Sequence, residues 1–373
     1  MLQFQKSFGY ILVLTLALVF GHEANSFGQL IELSIPQNDP NQNSSVISSV
    51  VFSPDGKLIA TSHGMNLGML QDPKPGQIVL WNAKTGSRLR TFPAITDGVR
   101  SVSFSHDGKI LAALEFSGII RLIAVEDGKE RLKIQSNRDD SAFYSFVFFP
   151  DGKKIAAAIG DSNGMGNDIL IIDVTNGKII RSLSGHNAIV YAMSVSSNGN
   201  ILASGGMDGT ARIWDPTTGV CLKIITIISR SKKDKDDEEE LEPWVQSLAI
   251  SPDGRSLATA TYIIVFSAQL DIWDISTGNL KSTLKGIDRY VEQVEYSKDG
   301  NLIATAGRED YIKLWNSQNF QEVSKINGIK PIAFSPDGKS IAHGKPTTIM
   351  IDGEEITEIK KIVIENIPIG THQ

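Results

Sequence analysis

The chain has 373 residues, 41% of them hydrophobic and 21% charged, which supports a buried core and excludes disorder throughout. A net charge of −6 lacks the basic excess of a general nucleic-acid binder. The single cysteine, Cys221, excludes an internal disulfide; with no Cys/His cluster at zinc spacing, it reads as a small buried hydrophobe.

At the N-terminus, Lys6 precedes an apolar run from Tyr10 to Phe20, and Ala24-Asn25-Ser26 follows with small residues at cleavage-site spacing. This pattern predicts a signal peptide over 1–26, a single domain over 27–373, and a secreted or periplasmic location. The run is shorter than the ~20 residues that span a bilayer, although an uncleaved anchor stays open as an alternative. Asn43-Ser44-Ser45 has the form of a glycosylation sequon.

Leu30 to Ile35 has strand character. A turn motif then recurs seven times, at Ser53-Pro54-Asp55-Gly56, Ser105-His106-Asp107-Gly108, Phe149-Pro150-Asp151-Gly152, Ser196-Ser197-Asn198-Gly199, Ser251-Pro252-Asp253-Gly254, Ser297-Lys298-Asp299-Gly300 and Ser335-Pro336-Asp337-Gly338. Asp-Gly and Asn-Gly suit tight hairpins that need positive φ. Apolar residues alternate before each turn, and a short apolar strand follows. A second hairpin recurs at Trp81-Asn82, Trp214-Asp215, Trp273-Asp274 and Trp315-Asn316. Each unit therefore reads as four antiparallel strands. One unit cannot bury both faces, whereas seven closed into a ring can. The expected fold is all-β, a seven-bladed propeller in which the N-terminal strand joins a last blade whose C-terminal strands come from Thr348 to Ile364.

The Gly-His, Ser-Pro-Asp-Gly and Trp-Asp signatures resemble those of the WD40 repeat family over roughly residues 28–365. The resemblance implies a structural tetrad in the fourth repeat: Asp208 with His186, His186 with Ser204, and Ser204 with the Trp214 indole. The second and third repeats carry Ile123 and Ile172 in place of Trp214.

Antiparallel strands place the first and third turns of every unit on one face. The longer segments, Ser62–Gln77, Gly160–Asn167, Thr261–Ala268 and Ser229–Pro243, all belong to the other face, which is expected to carry function. Alignment on the turns gives two columns at the channel mouth. One holds Ala142, Ile189, Trp244 and Tyr290; the other holds Arg100, Tyr144, Tyr191, Gln246, Glu292 and Lys330. The family resemblance adds Met207, the residue before the turn aspartate, and makes these positions partner contacts. Aromatic residues and Arg are what interface anchors tend to be. The alternative is that they plug the channel. Arg230–Glu242 reads as a solvated charged loop, with a weak calcium site at Asp234, Asp236, Asp237 and Glu238 as its alternative.

Other chemistry is not indicated. Gly338-Lys339-Ser340 is a hairpin turn with Ala333 where a phosphate loop needs glycine, and neither a nucleophile elbow nor a zinc-protease motif occurs. His63 and His343 fall in blades that a ring makes neighbours, which leaves a metal site there as a minor alternative. The reading is a non-enzymatic scaffold without cofactor that binds a protein or peptide. The alternative is an exported propeller enzyme or ligand sensor, lactonase-like or quinoprotein-like.

Overall fold

The repeated turn is a small hydrogen-bonded unit. In its first copy the Ser53 hydroxyl donates to Asp55 Oδ1 at 2.7 Å, the Lys57 amide donates to the same oxygen, and the Leu58 amide donates to Ser53 Oγ. Gly56 closes the turn at φ +70°, where a Cβ is disfavoured. The same three bonds form at Ser105, Ser196, Ser251, Ser297 and Ser335. In the third repeat Phe149 replaces the serine, and Asp151 still accepts the Lys153 amide.

A computed structural model describes residues 30–34, 46–64, 76–92, 98–136, 141–161, 167–228, 243–263, 267–286, 291–307, 311–351 and 354–368. The expected signal segment, Tyr290 and the Arg230–Glu242 loop with its calcium alternative lie outside them. The first strand is β1 (Ile31–Ser34). Blade 1 is β2 (Ile47–Phe52), β3 (Leu58–His63), β4 (Gln77–Asn82) and β5 (Arg88–Thr91). Blade 2 is β6 (Val99–Phe104), β7 (Ile110–Glu115), β8 (Ile120–Ala124) and β9 (Glu130–Ile134). Blade 3 is β10 (Ser141–Phe148), β11 (Lys154–Asp161), β12 (Ile169–Asp173) and β13 (Ile179–Leu183). Blade 4 is β14 (Val190–Val195), β15 (Leu202–Gly206), β16 (Thr210–Trp214) and β17 (Cys221–Thr226). Blade 5 is β18 (Trp244–Ile250), β19 (Ser256–Ile263), β20 (Ser267–Asp274) and β21 (Leu280–Thr283). Blade 6 is β22 (Gln293–Tyr296), β23 (Leu302–Ala306), β24 (Tyr311–Asn316) and β25 (Glu322–Asn327). Blade 7 is β26 (Ile329–Phe334), β27 (Ser340–Ile351) and β28 (Glu354–Asn366), completed by β1.

The structure is thus a seven-bladed all-β propeller of four-stranded antiparallel blades. The first strand of each blade packs on the first strand of the next, and β2 meets β26 to close the ring. β1 is the outermost strand of blade 7, in register Ile31↔Ile364 to Ser34↔Lys361. The core is divided into seven apolar clusters, each shared by two neighbouring blades. Packing between blades, rather than within one, buries most of the apolar surface.

The elaborated face departs from expectation in two places. Thr261–Ala268 is a lengthened hairpin, with Thr261↔Gln269 and Ile263↔Ser267 still paired. In blade 7, β27 begins at Ser340, and β27 and β28 pair as far as Ile351↔Glu354, so a long two-stranded ribbon rises from the same face. Its sequence signal is Asp352-Gly353, a two-residue hairpin dipeptide outside the repeated motif.

Candidate functional site at the channel mouth

The innermost strand of most blades carries a β-bulge, and the bulge falls on the second column read from the sequence. Pairing jumps from Val99 to Ser101, from Phe143 to Ser145, from Val190 to Ala192 and from Val245 to Ser247. Arg100, Tyr144, Tyr191 and Gln246 are the residues skipped. Ser48 holds this place in blade 1, and Lys330 lies in the corresponding irregularity of blade 7. Glu292 immediately precedes β22, its amide bonded to Ala306 O at 2.9 Å. An unpaired bulge residue frees its side chain from the two-sided alternation of the strand and re-aims it.

Three groupings result. The Arg100 guanidinium lies over the Phe116 ring at 5.3 Å and over the Tyr144 ring at 5.7 Å, and reaches Tyr144 O at 3.4 Å. The Tyr144 and Tyr191 rings meet edge to face at 6.4 Å. Burial lowers the pKa of Arg100 from its ordinary value and raises that of Tyr191. A Cβ at Gly160 would lie 2.9 Å from Asn167 Oδ1 and 3.2 Å from the Tyr144 ring, so the glycine leaves room for these two side chains. Ala142 pairs with Gly160, and the Met207 amide donates to Ile189 O at 2.9 Å.

Second, Trp244 packs on Tyr262, its cross-strand partner, at 6.2 Å, rather than joining the Tyr144–Tyr191 pair. Third, Lys330 and Glu292 form an ion pair across blades 6 and 7, and burial lowers the Lys330 pKa. The sequence reading missed Phe116 and Tyr262. Phe116 could have been found by aligning Phe116-Ser117-Gly118 with Met207-Asp208-Gly209; Tyr262 comes into play because its hairpin is lengthened.

The implied tetrad residues meet inside blade 4. His186 Nδ1 lies 2.8 Å from Asp208 Oδ2, His186 Nε2 lies 2.7 Å from Ser204 Oγ, and Trp214 Nε1 donates to Ser204 Oγ at 2.7 Å. Burial acts to raise the Asp208 pKa, but the His186 hydrogen bond and charge, aided by Thr210 and the Asn187 amide, hold it at about 2. All four groups are engaged by one another.

Shorter versions recur in other blades. The indoles of Trp81, Trp273 and Trp315 donate to Thr61, Thr259 and Thr305 at 2.9–3.0 Å. His63 Nε2 lies 2.8 Å from Thr61 Oγ1. In blade 7, His343 occupies the serine position and lies 2.8 Å from Glu365, which stands where the tryptophan would be. His63 and His343 are therefore each held within their own blade. No group of three metal-ligating side chains gathers among the described residues.

The WD domain, G-beta repeat, model matches residues 37–67, 86–123, 177–215 and 278–316. Periodic tryptophan protein 2 of Arabidopsis thaliana is 26% identical over 72% of this chain and 29% of its own length. Nuclear distribution protein PAC1 of Coccidioides posadasii is 31% identical over 43% and 38%. Small ribosomal subunit protein RACK1 of Caenorhabditis elegans is 26% identical over 49% and 67%. The chain spans between 21% and 38% of the first three relatives it matches.

These comparisons correct the expected secreted or periplasmic location. By name the relatives belong to the small ribosomal subunit, to nuclear distribution and to autophagy, and they point to the cytoplasm or nucleus. The expectation rested on an apolar run about 11 residues long, and that length also suits a buried segment of a globular chain.

Three of the matched stretches run from the outermost strand of one blade through the inner three of the next, as 177–215 does from β13 to β16. A sequence repeat thus bridges two blades and interlocks them, and the chain is a seven-bladed propeller that carries matches to the WD40 repeat family.

Proposed function

We propose that the chain is a non-enzymatic scaffold that binds a protein or peptide across the elaborated face of the disc. The observation that carries this reading is the Arg100–Tyr144–Tyr191 cluster, three successive bulge residues from three successive blades that touch at the channel mouth. With Phe116, and with Trp244 and Tyr262 as a second aromatic pair, it forms an aromatic-rich patch on the face that also bears the β19–β20 and β27–β28 extensions. Large rigid side chains give contact area at low entropic cost, as interface anchors do. Ile189, Met207, Gln246 and the Glu292–Lys330 pair form the surrounding contacts, and Tyr290 belongs to the same proposed set. His186 and His343 have both ring nitrogens engaged within their blades, which supports a structural rather than a catalytic role for them. Relatives named for the ribosome and for nuclear distribution are consistent with work inside larger assemblies.

The test is capture by the full chain carrying Tyr191→Ala or Trp244→Ala, with Lys57→Ala on the opposite face as control. Partners retained by the wild type and the control are expected to be lost from both aromatic variants, whose melting temperatures stay within a few degrees of wild type. Equal retention by all forms overturns the reading.

A further inference from the structure

Arg100 is half-buried and, among the described residues, has no ion-pair partner. Its guanidinium carries five N–H donors and a permanent charge. Among the described residues its one hydrogen bond is the 3.4 Å contact to Tyr144 O, and the Phe116 and Tyr144 rings lie against it. No carboxylate meets it among the described residues. Ring faces compensate a cation only partly, and a buried charge without a counter-ion costs stability. The other cation of the mouth, Lys330, is already held by Glu292. Arg121 and Arg212, which belong to blades 2 and 4, face Glu115 and Asp208. Arg100 remains partly open to solvent at the channel mouth, so a ligand can reach it.

We infer that Arg100 with Phe116, Tyr144 and Tyr191 is an aromatic-walled receptor for one carboxylate side chain, the aspartate or glutamate of a bound peptide. This rests on the proposed binding face and adds the chemistry of its partner. The planar guanidinium matches a planar carboxylate through two parallel hydrogen bonds. Among the described residues one positive charge is available at the pocket, which balances a monoanion and leaves a phosphate dianion under-neutralised. Tyr144 and Tyr191 exclude water from the pair and offer apolar contact to the methylenes of the acid. A receptor of this kind trades stability for binding, because the charge is desolvated before its partner arrives.

Three immobilised peptide libraries of random flanking sequence, centred on glutamate, glutamine or phosphoserine, test the inference with the full chain. The glutamate library is expected to bind at least tenfold more tightly than the other two. Arg100→Met should remove that preference while keeping or raising the melting temperature, and Arg100→Lys should restore only part of it. Equal binding to glutamate and glutamine, lost with Tyr191→Ala, overturns the carboxylate receptor and leaves the binding face standing. A preference for phosphoserine overturns it in favour of a dianion. Absence of binding to every library overturns the receptor, and failure of the capture experiment as well overturns the face. A melting temperature lowered by Arg100→Met assigns the residue to structure instead.

Discussion

Ser204 is the link between His186 and Trp214 in blade 4. Its hydroxyl accepts the Trp214 N–H and meets His186 Nε2, so two buried polar groups depend on one oxygen. Replacing a shared partner leaves both others unsatisfied. Ser204→Ala is therefore expected to destabilise the chain by about 2–3 kcal/mol in urea unfolding, with an unchanged denaturant slope. An effect below about 0.5 kcal/mol would show that water replaces the hydroxyl. Residues of this kind were legible because family motifs name them together. Glu365 was not legible: it stands in the tryptophan position of blade 7 but belongs to a strand with no repeat signature, and its role appears only when β28 is set in register against β27.

At the scale of single strands, bulges do two jobs. On the innermost strands they release Arg100, Tyr144, Tyr191 and Gln246 from the paired ladder. On the outermost strands they skip Leu89, Arg131, Ile180, Leu222, Lys281 and Val323, so these side chains leave the regular ladder. Four of these six are exposed apolar residues, and the irregular edge hinders a second chain from adding a strand. β1 completes blade 7 by pairing with β28. Leu33 is fully buried against Ile47, Ile59 and Ile362. Leu33→Ala is expected to cost about 2–5 kcal/mol, measured by chemical unfolding. Deleting 30–34 should also expose the β28 edge and produce oligomers in sedimentation; a monomer of wild-type stability would argue against closure by β1. Bulges were not read from the sequence because an extra residue is visible only against a partner strand.

Across the whole molecule, side chains of one innermost strand satisfy the backbone of the next. The Ile250 amide donates to Ser194, the Val294 amide to Ser247, and the Phe334 amide to Glu295. Gln293 does both, donating to Ile332 O and accepting the Ile332 amide. The open edges lining the hole are thereby tied from blade to blade. Glu295 is the costly member: burial pushes its carboxyl up to about 7, against the lowering effect of the Phe334 amide and Lys298. A raised folded-state pKa favours the protonated form, so this contribution is fully present below the unfolded value near 4.5 and is lost as pH rises through about 7. Glu295→Gln is expected to raise the melting temperature at pH 8 by about 2 °C or more, with little change at pH 4.5. A gain at pH 4.5 equal to that at pH 8 would remove titration from the explanation.

Local chemistry accounts for what could be read without coordinates. Ser-Pro-Asp-Gly closes a hairpin with bonds spanning only a few residues, and alternating apolar residues mark strands on either side. Seven such units leave ring closure as the solution that buries both faces of every sheet. The neighbours of Arg100 are of another kind, and so are the inter-blade ties through Gln293 and Glu295. They join segments tens of residues apart, and no local rule states the distance or angle between such segments. Only the packing of one blade on the next, through the seven shared apolar wedges, decides which side chains meet at the hole.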